Sequence, residues 1–217
     1  MVVPDKFVFI SNPIIQAVPV KENNEPMVDL AAYAADRNSS IKSNEGVRVR
    51  EGVADKLINA QQFLPDGYDL FVVEGYRPAK DQEKLWQTHR DDLASRHADW
   101  DDSMLDDEAS KLYSPPGSVM PHAAGCAVDV TVVDRKGEAL DMGTGINVDS
   151  ENTEFRTYTY AENITDEQKE NRKVLIDAMN AGQFVNYSTE WWHWSTGDQY
   201  WAFITDQAFA VYDEVGE

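Results

Sequence analysis

Residues 121–134 read Pro121-His122-Ala123-Ala124-Gly125-Cys126-Ala127-Val128-Asp129-Val130-Thr131-Val132-Val133-Asp134, and this stretch decides the fold. Small and β-branched residues alternate from Cys126 to Asp134. The pattern predicts a strand with Val128, Val130 and Val132 on one face and Ala127, Asp129 and Thr131 on the other. Gly125 permits a tight turn from a loop into that strand. A carboxylate amid Val, Ala and Thr is costly to bury unless it is paired or holds a cation. His122, seven positions earlier, is a natural partner for the same cation. The plainer alternative is a solvated strand face, because a His-x6-Asp spacing also recurs by chance.

Working outward, Tyr68 to Glu74 reads as a second strand ending at Gly75, with Arg77-Pro78 at its exit. Val47 to Gln62 has helical spacing, and Pro65-Asp66-Gly67 breaks the chain after it. Ala79 to His89 reads as a helix that starts after a proline. Residues 90–117 are acidic and irregular, closed by Pro115-Pro116-Gly117. Thr165 to Ala181 is a helix opened by a capping box, Thr165 with Gln168. Tyr187 to Trp194 and Tyr200 to Ile204 are strand-like. The first 45 residues mix short apolar runs (Phe7 to Ile10, Ile14 to Val20) with polar turns. Helices and strands alternate irregularly, so the class expected is α+β, in one domain over residues 1–217 with a loop-rich first part.

Composition narrows the partners. The 217 residues carry 39 Asp plus Glu against 19 Lys plus Arg, a formal net charge of −20, with no basic patch to attract phosphate backbones. Nucleic acid is therefore not an expected partner. At 42% hydrophobic residues the chain can bury a core. The single cysteine, Cys126, allows neither an intramolecular disulfide nor a cysteine-rich zinc ribbon. No apolar run is long enough for a membrane span, and no signal peptide is visible, so a cytoplasmic location is expected. Oligomeric state is not legible.

Four histidines are present: His89, His97, His122 and His193. His193 lies in Glu190-Trp191-Trp192-His193-Trp194, a bulky setting where an imidazole needs a strong partner. Two imidazoles and a carboxylate, with the fourth position left to water, form an open catalytic zinc set. Glu190 would then serve as general base. In a regular strand, positions 190 and 193 face opposite ways, so this role requires a bulge or a strand end between them. The alternative is a Trp-rich core strand with a satisfied histidine. Arg77 can stabilise the oxyanion formed when a carbonyl is attacked, or it can be a surface salt bridge with Glu74 or Asp81. His89 and His97 read as surface histidines.

Glu74-Gly75-Tyr76-Arg77-Pro78, then His122-x-x-Gly125-x-Ala127-x-Asp129, then Glu190-Trp191-Trp192-His193, in this order, resemble the D-alanyl-D-alanine dipeptidases of the VanX type. Leu140-Asp141-Met142-Gly143-Thr144 resembles that family's segment after the metal strand. The resemblance runs from about Val47 to Trp201. It implies the hedgehog/DD-peptidase fold, a central antiparallel sheet with helices packed on it. It also implies one Zn2+ per chain on His122, Asp129 and His193, a metal-activated water with Glu190 as base, and Arg77 as transition-state stabiliser. The substrate implied is a small peptide, D-Ala-D-Ala or a related D-containing dipeptide.

Two positions depart from the family. Met120 stands where the family has serine, and Asn147 where it has aspartate, and both family residues help hold a substrate ammonium. An amide holds an ammonium less strongly than a carboxylate does, so the preferred dipeptide or its N-terminal group is expected to have shifted. Tyr33 matches a family tyrosine loosely and is a third candidate for substrate binding. The alternatives are a D,D- or L,D-carboxypeptidase of the same fold acting on longer peptidoglycan stems, and a non-catalytic metal-binding module. The acidic segment Asp91 to Asp107 is expected to be a surface excursion near the site's rim, supplying no ligand.

Overall fold

The computed structural model describes residues 8–216. The start of the Phe7 to Ile10 run and the stretch before it lie outside the described residues. Element order is α1 (Pro13–Gln16), β1 (Met27–Asp29), α2 (Leu30–Asp36), β2 (Lys42–Ser43), β3 (Arg48–Arg50), α3 (Glu51–Gln61), β4 (Tyr68–Glu74), α4 (Ala79–Arg96), α5 (Asp102–Ala109) and β5 (Ala127–Asp134). After a 3-10 turn at Glu151–Thr153 come α6 (Asp166–Ala181), β6 (Val185–Asn186), β7 (His193–Ser195) and α7 (Gln199–Ile204).

The main sheet has five strands in the order β2-β4-β5-β7-β6. It is antiparallel apart from its edge strand β2, which runs parallel to β4. A separate antiparallel pair joins β1 and β3. The core lies on one face of the main sheet, where Leu70, Val72, Val128, Val130 and Val132 meet Val53 and Leu57 of α3 and Leu175 and Met179 of α6. Each fully buried aliphatic side chain of this kind stabilises the fold by about 1.5–3 kcal/mol.

The predicted β5 face is correct for the three valines, but the opposite face is not solvated. Ala127, Asp129 and Thr131 are buried as well. The helix expected from Val47 begins at Glu51, because Arg48–Arg50 pair with Met27–Asp29 instead. The α6 capping box forms as read: Gln168 N donates to Thr165 Oγ1 at 3.2 Å, and Thr165 N donates to Gln168 Oε1 at 2.9 Å.

The largest corrections concern residues 79–117 and 187–204. The helix starting at Ala79 runs to Arg96 and pairs with α5, so most of the irregular segment is a helical hairpin. Trp86, Leu93, Leu105 and Ala109 form its own small apolar cluster. Tyr187 to Trp194 is not one strand: residues 187–192 form a turn between β6 and β7, and only His193 and Trp194 are in a strand, β7. Tyr200 to Ile204 belongs to a helix, because Asp198 caps it by accepting from Trp201 N at 2.8 Å.

Candidate active site

Strand register brings the first two site residues together. Asp129 of β5 sits opposite His193 of β7 and, across a β-bulge, opposite Glu74 of β4. Residues directly opposite share a sheet face, so Asp129 and His193 meet on the side away from the valine core. His122 arrives from the turn over residues 121–125. Its Nδ1 lies 2.6 Å from the Gly75 carbonyl. A carbonyl only accepts, so Nδ1 carries the proton and Nε2 presents its lone pair inward. A Cβ at Gly75 would sit 2.5 Å from the Arg48 carbonyl oxygen, so a glycine is required where the exit of β4 passes β3.

Three donor atoms then converge. His122 Nε2 is 3.2 Å from His193 Nδ1, His193 Nδ1 is 3.3 Å from Asp129 Oδ1, and His122 Nε2 is 3.4 Å from Asp129 Oδ1. Tetrahedral bonds of about 2.0–2.1 Å to one zinc ion require donors about 3.3–3.4 Å apart. The nearly equilateral triangle fits that demand, and it fits two nitrogens and a carboxylate better than any hydrogen-bond pattern, since its three distances are all long for hydrogen bonds. Burial raises the Asp129 carboxyl's pKa, but the two imidazoles outweigh it and hold the group well below the usual carboxylate range. Burial lowers the His193 pKa, favouring the neutral imidazole that a metal needs.

Glu190 satisfies the geometrical requirement set by its spacing, because it sits in the turn just before β7 and not within a strand. His193 N donates back to the Glu190 carbonyl at 3.3 Å, closing that turn, and Glu190 Oε2 lies 3.8 Å from His193 Nδ1. The turn is pinned from three sides. Tyr187 Oη donates to Ser110 O at 3.1 Å, Thr189 Oγ1 to Lys111 O at 3.0 Å, and Trp191 Nε1 to Thr144 Oγ1 at 2.8 Å. Burial, then the nearby Asp129 charge, pushes the Glu190 carboxyl well above its ordinary pKa, with Arg77 opposing.

Arg77 is buried, not a surface salt bridge. It grips Glu74 with Nε at 2.7 Å and with Nη2, while Nη1 donates to Gln82 Oε1 at 2.5 Å. Asp81 takes no part in this grip. The Arg77 backbone N–H donates to the His122 carbonyl at 3.2 Å, which couples Arg77 to the turn carrying that ligand candidate.

These residues line a narrow cleft with about 30 Å³ of free volume. His122, Asp129, His193, Glu190, Arg77, Met120 and Asn147 all face it. Tyr33 does not. Its hydroxyl donates to Asp55 Oδ1 at 2.8 Å, and the Arg37 guanidinium stacks on its ring. The cleft also takes Gln82 and Tyr113, which sequence reading missed, from the α4–α5 hairpin and the loop after it. Arg50 was missed too. Its buried guanidinium donates to Ala124 O, Glu25 O and Asp213 O, each at 2.9 Å, and so fastens the His122 turn to both ends of the chain. The available signal was a pair of arginines interrupting the apolar Val47–Val53 run.

His89, with Asp92 and Asp149, is the other grouping of metal-ligand residue types among the described residues. Arg96 already pairs with both carboxylates, at 3.1 Å to Asp92 and 2.5 Å to Asp149. His89 packs edge-on against Tyr113 and His97 stacks on Trp100, so both are half-buried where exposed positions were expected. No carboxylate of Asp91 to Asp107 joins the His122 trio among the described residues.

The peptidase family model described as D-Ala-D-Ala dipeptidase matches residues 31–213. The chain belongs to this family. A D-alanyl-D-alanine dipeptidase of Synechocystis is 25% identical to it over 224 residues, covering 88% of this chain and 90% of the relative. One from Escherichia coli is 31% identical over 127 residues, covering 58% of this chain and 54% of the relative. Among solved structures, a mutant of the vancomycin-resistance D,D-pentapeptidase VanY in complex with Zn(II) aligns with a TM-score of 0.47 and 16% identity, over 90% of this chain and 96% of that one. Membership of the dipeptidase family makes the chain a peptide hydrolase.

Proposed function

We propose that the protein is a zinc dipeptidase acting on D-Ala-D-Ala or a related D-containing dipeptide, with His122, Asp129 and His193 as the metal ligands. The observation that carries this reading is the buried triangle of donor atoms beside a buried, turn-held Glu190. When bound, zinc supplies Lewis acidity at the attacked carbonyl and makes a water molecule acidic enough to react near neutral pH. Glu190 takes the proton of that water and later gives it to the leaving amine, a double duty suited to a carboxyl whose environment raises its pKa. Arg77, held by Glu74 and Gln82, offers its remaining N–H groups to the oxygen on which negative charge develops.

A second reading has one specific observation behind it. Asp129 and Glu190 are the cleft's only lining carboxylates among the described residues, and both are committed to the chemistry. Met120 and Asn147 are neutral. A substrate whose N-terminal side is acylated, as at the end of a longer peptidoglycan stem, meets no unsatisfied demand here, whereas a free ammonium finds no spare anion.

The test is metal content together with turnover of D-Ala-D-Ala and N-acetyl-D-Ala-D-Ala, wild type beside Glu190→Ala. About one zinc per chain in both proteins, with turnover only in the wild type, is the expected result. Faster hydrolysis of the acetylated peptide selects the second reading. No bound metal under any condition overturns both.

A further inference from the structure

Arg77 has five guanidinium N–H groups to satisfy. Glu74 takes two of them and Gln82 takes a third. Gln82 is unusual in its own right: it lies in the first turns of α4, is only 4% exposed, and lines the cleft. Glutamine is mostly an exposed residue, and a buried one is retained where both ends of its amide are used. Here its oxygen accepts from Arg77 Nη1 at 2.5 Å, and its Nε2 donates to the Ser114 carbonyl at 3.4 Å. Three separate pieces of chain are joined in this way: the exit of β4, the start of α4, and the loop that follows α5.

We propose that Gln82 is a positioning residue for Arg77, fixing the direction in which the guanidinium presents its two uncommitted N–H groups to the substrate. The proposal rests on the reading of Arg77 given above. A neutral amide suits this task better than a carboxylate. Glu74 already balances the Arg77 charge, and a second anion here would stand beside Asp129 and Glu190. The amide therefore orients the cation without cancelling it. With Glu74 alone, the guanidinium is gripped on one edge and can swing about its own side chain. The contact at Nη1 removes that freedom, and orientation errors of about 1 Å can cost roughly 100-fold in rate.

The test is a double-mutant cycle between Gln82→Met, which preserves length and burial but removes both polar atoms, and Arg77→Ala. Expected is a fall in kcat of roughly 10- to 100-fold for Gln82→Met in the wild-type background, with KM changed less than about threefold and zinc content unchanged. In the Arg77→Ala background the same substitution should change kcat by less than about twofold, because a positioning residue has nothing left to position. Equal losses in both backgrounds, or no loss in the wild type, would overturn the proposal. A readout independent of turnover is the 15N-edited spectrum of the arginine side chains. Slowly rotating Nη signals of Arg77 should be present in the wild type and lost in Gln82→Met, and their persistence would overturn the proposal as well. A wild type that hydrolyses no D-Ala-D-Ala peptide sinks the function proposed above and leaves the guanidinium signals to decide this point.

Discussion

The β4–β5–β7 sheet and the α4–α5 hairpin both contribute to the cleft, yet they are built in opposite ways. In the sheet, each site residue is positioned by backbone register: Asp129 opposite His193, Glu74 opposite Asp129, and His122 bonded to the carbonyl at the end of β4. The hairpin packs around its own small cluster of Trp86, Leu93, Leu105 and Ala109, and reaches the site through side chains such as Gln82 and Tyr113. The difference teaches a division of labour. Two of the three donor residues that must meet within tenths of an ångström, Asp129 and His193, sit on paired strands. The third, His122, is tied to the end of one. Groups that shape the cleft sit on an element that can vary without disturbing that pairing.

Metal removal is the strongest way to break this comparison. Stripping the protein with a chelator should lower Tm by roughly 5–10 °C where free zinc had stood near 100 Kd, since only the folded sheet assembles the trio. His193→Ala should show no chelator response in the same melting experiment. A response that survives this substitution would place the metal elsewhere.

Comparable in size is Leu93→Ala, which empties a fully buried position in the hairpin cluster and should cost about 2–5 kcal/mol locally. If the two regions are separate, steady-state kinetics will show kcat falling, because α4 carries the Gln82 that holds Arg77, with zinc content intact. Loss of the metal along with the hairpin would show that sheet and hairpin act as one unit.

A smaller effect is expected at the clasp between the C-terminal end of α4 and the segment after Asn147. Arg96 there meets Asp92, Asp149 and Glu151. Such partly exposed pairs are worth about 1 kcal/mol or less each. Arg96→Ala should therefore lower Tm by only a few degrees, and 1 M salt should erase most of the difference between variant and wild type. Smallest is the pH effect of Asp141, whose pKa is lowered by Gln168 Nε2 and then by Gly143 N–H. A carboxyl depressed in the folded state adds stability that is fully present above its unfolded value of about 3.9 and lost as pH falls through the folded one. Acid melting curves of Asp141→Asn and wild type should therefore converge below about pH 4.

Much of the sheet was legible because strand alternation is local. The faces of Val128, Val130 and Val132 need only a period of two, and the Thr165–Gln168 box needs only four residues. The hairpin was less legible. The acidic surface of α4 and α5 hides the sparse apolar positions Trp86, Leu93 and Leu105, whose partners lie on the neighbouring helix. Residues 199–204 misled for a related reason: the run Tyr200 to Ile204 has strand-like composition, and the Asp198 cap that turns it into a helix lies outside the run. In the candidate site, His122, Asp129, His193, Glu190 and Arg77 could all be named from motif and spacing, whereas Gln82, Tyr113 and Arg50 could not.

By itself the sequence determined the alternation that makes β5, the glycine that turns the His122 loop into it, and the residue types able to hold a metal. Only the tertiary structure decided that both faces of β5 are buried and that Glu190 lies in a turn on the same side as His193. It also decided that Arg77 is clamped from two elements, and that Tyr33 stays away from the cleft. The physical reason is one of range. Local pattern reports what each residue prefers within a few neighbours, while burial, register between distant strands and the meeting of donor atoms depend on segments far apart in the chain, about 70 residues in the case of His122 and His193.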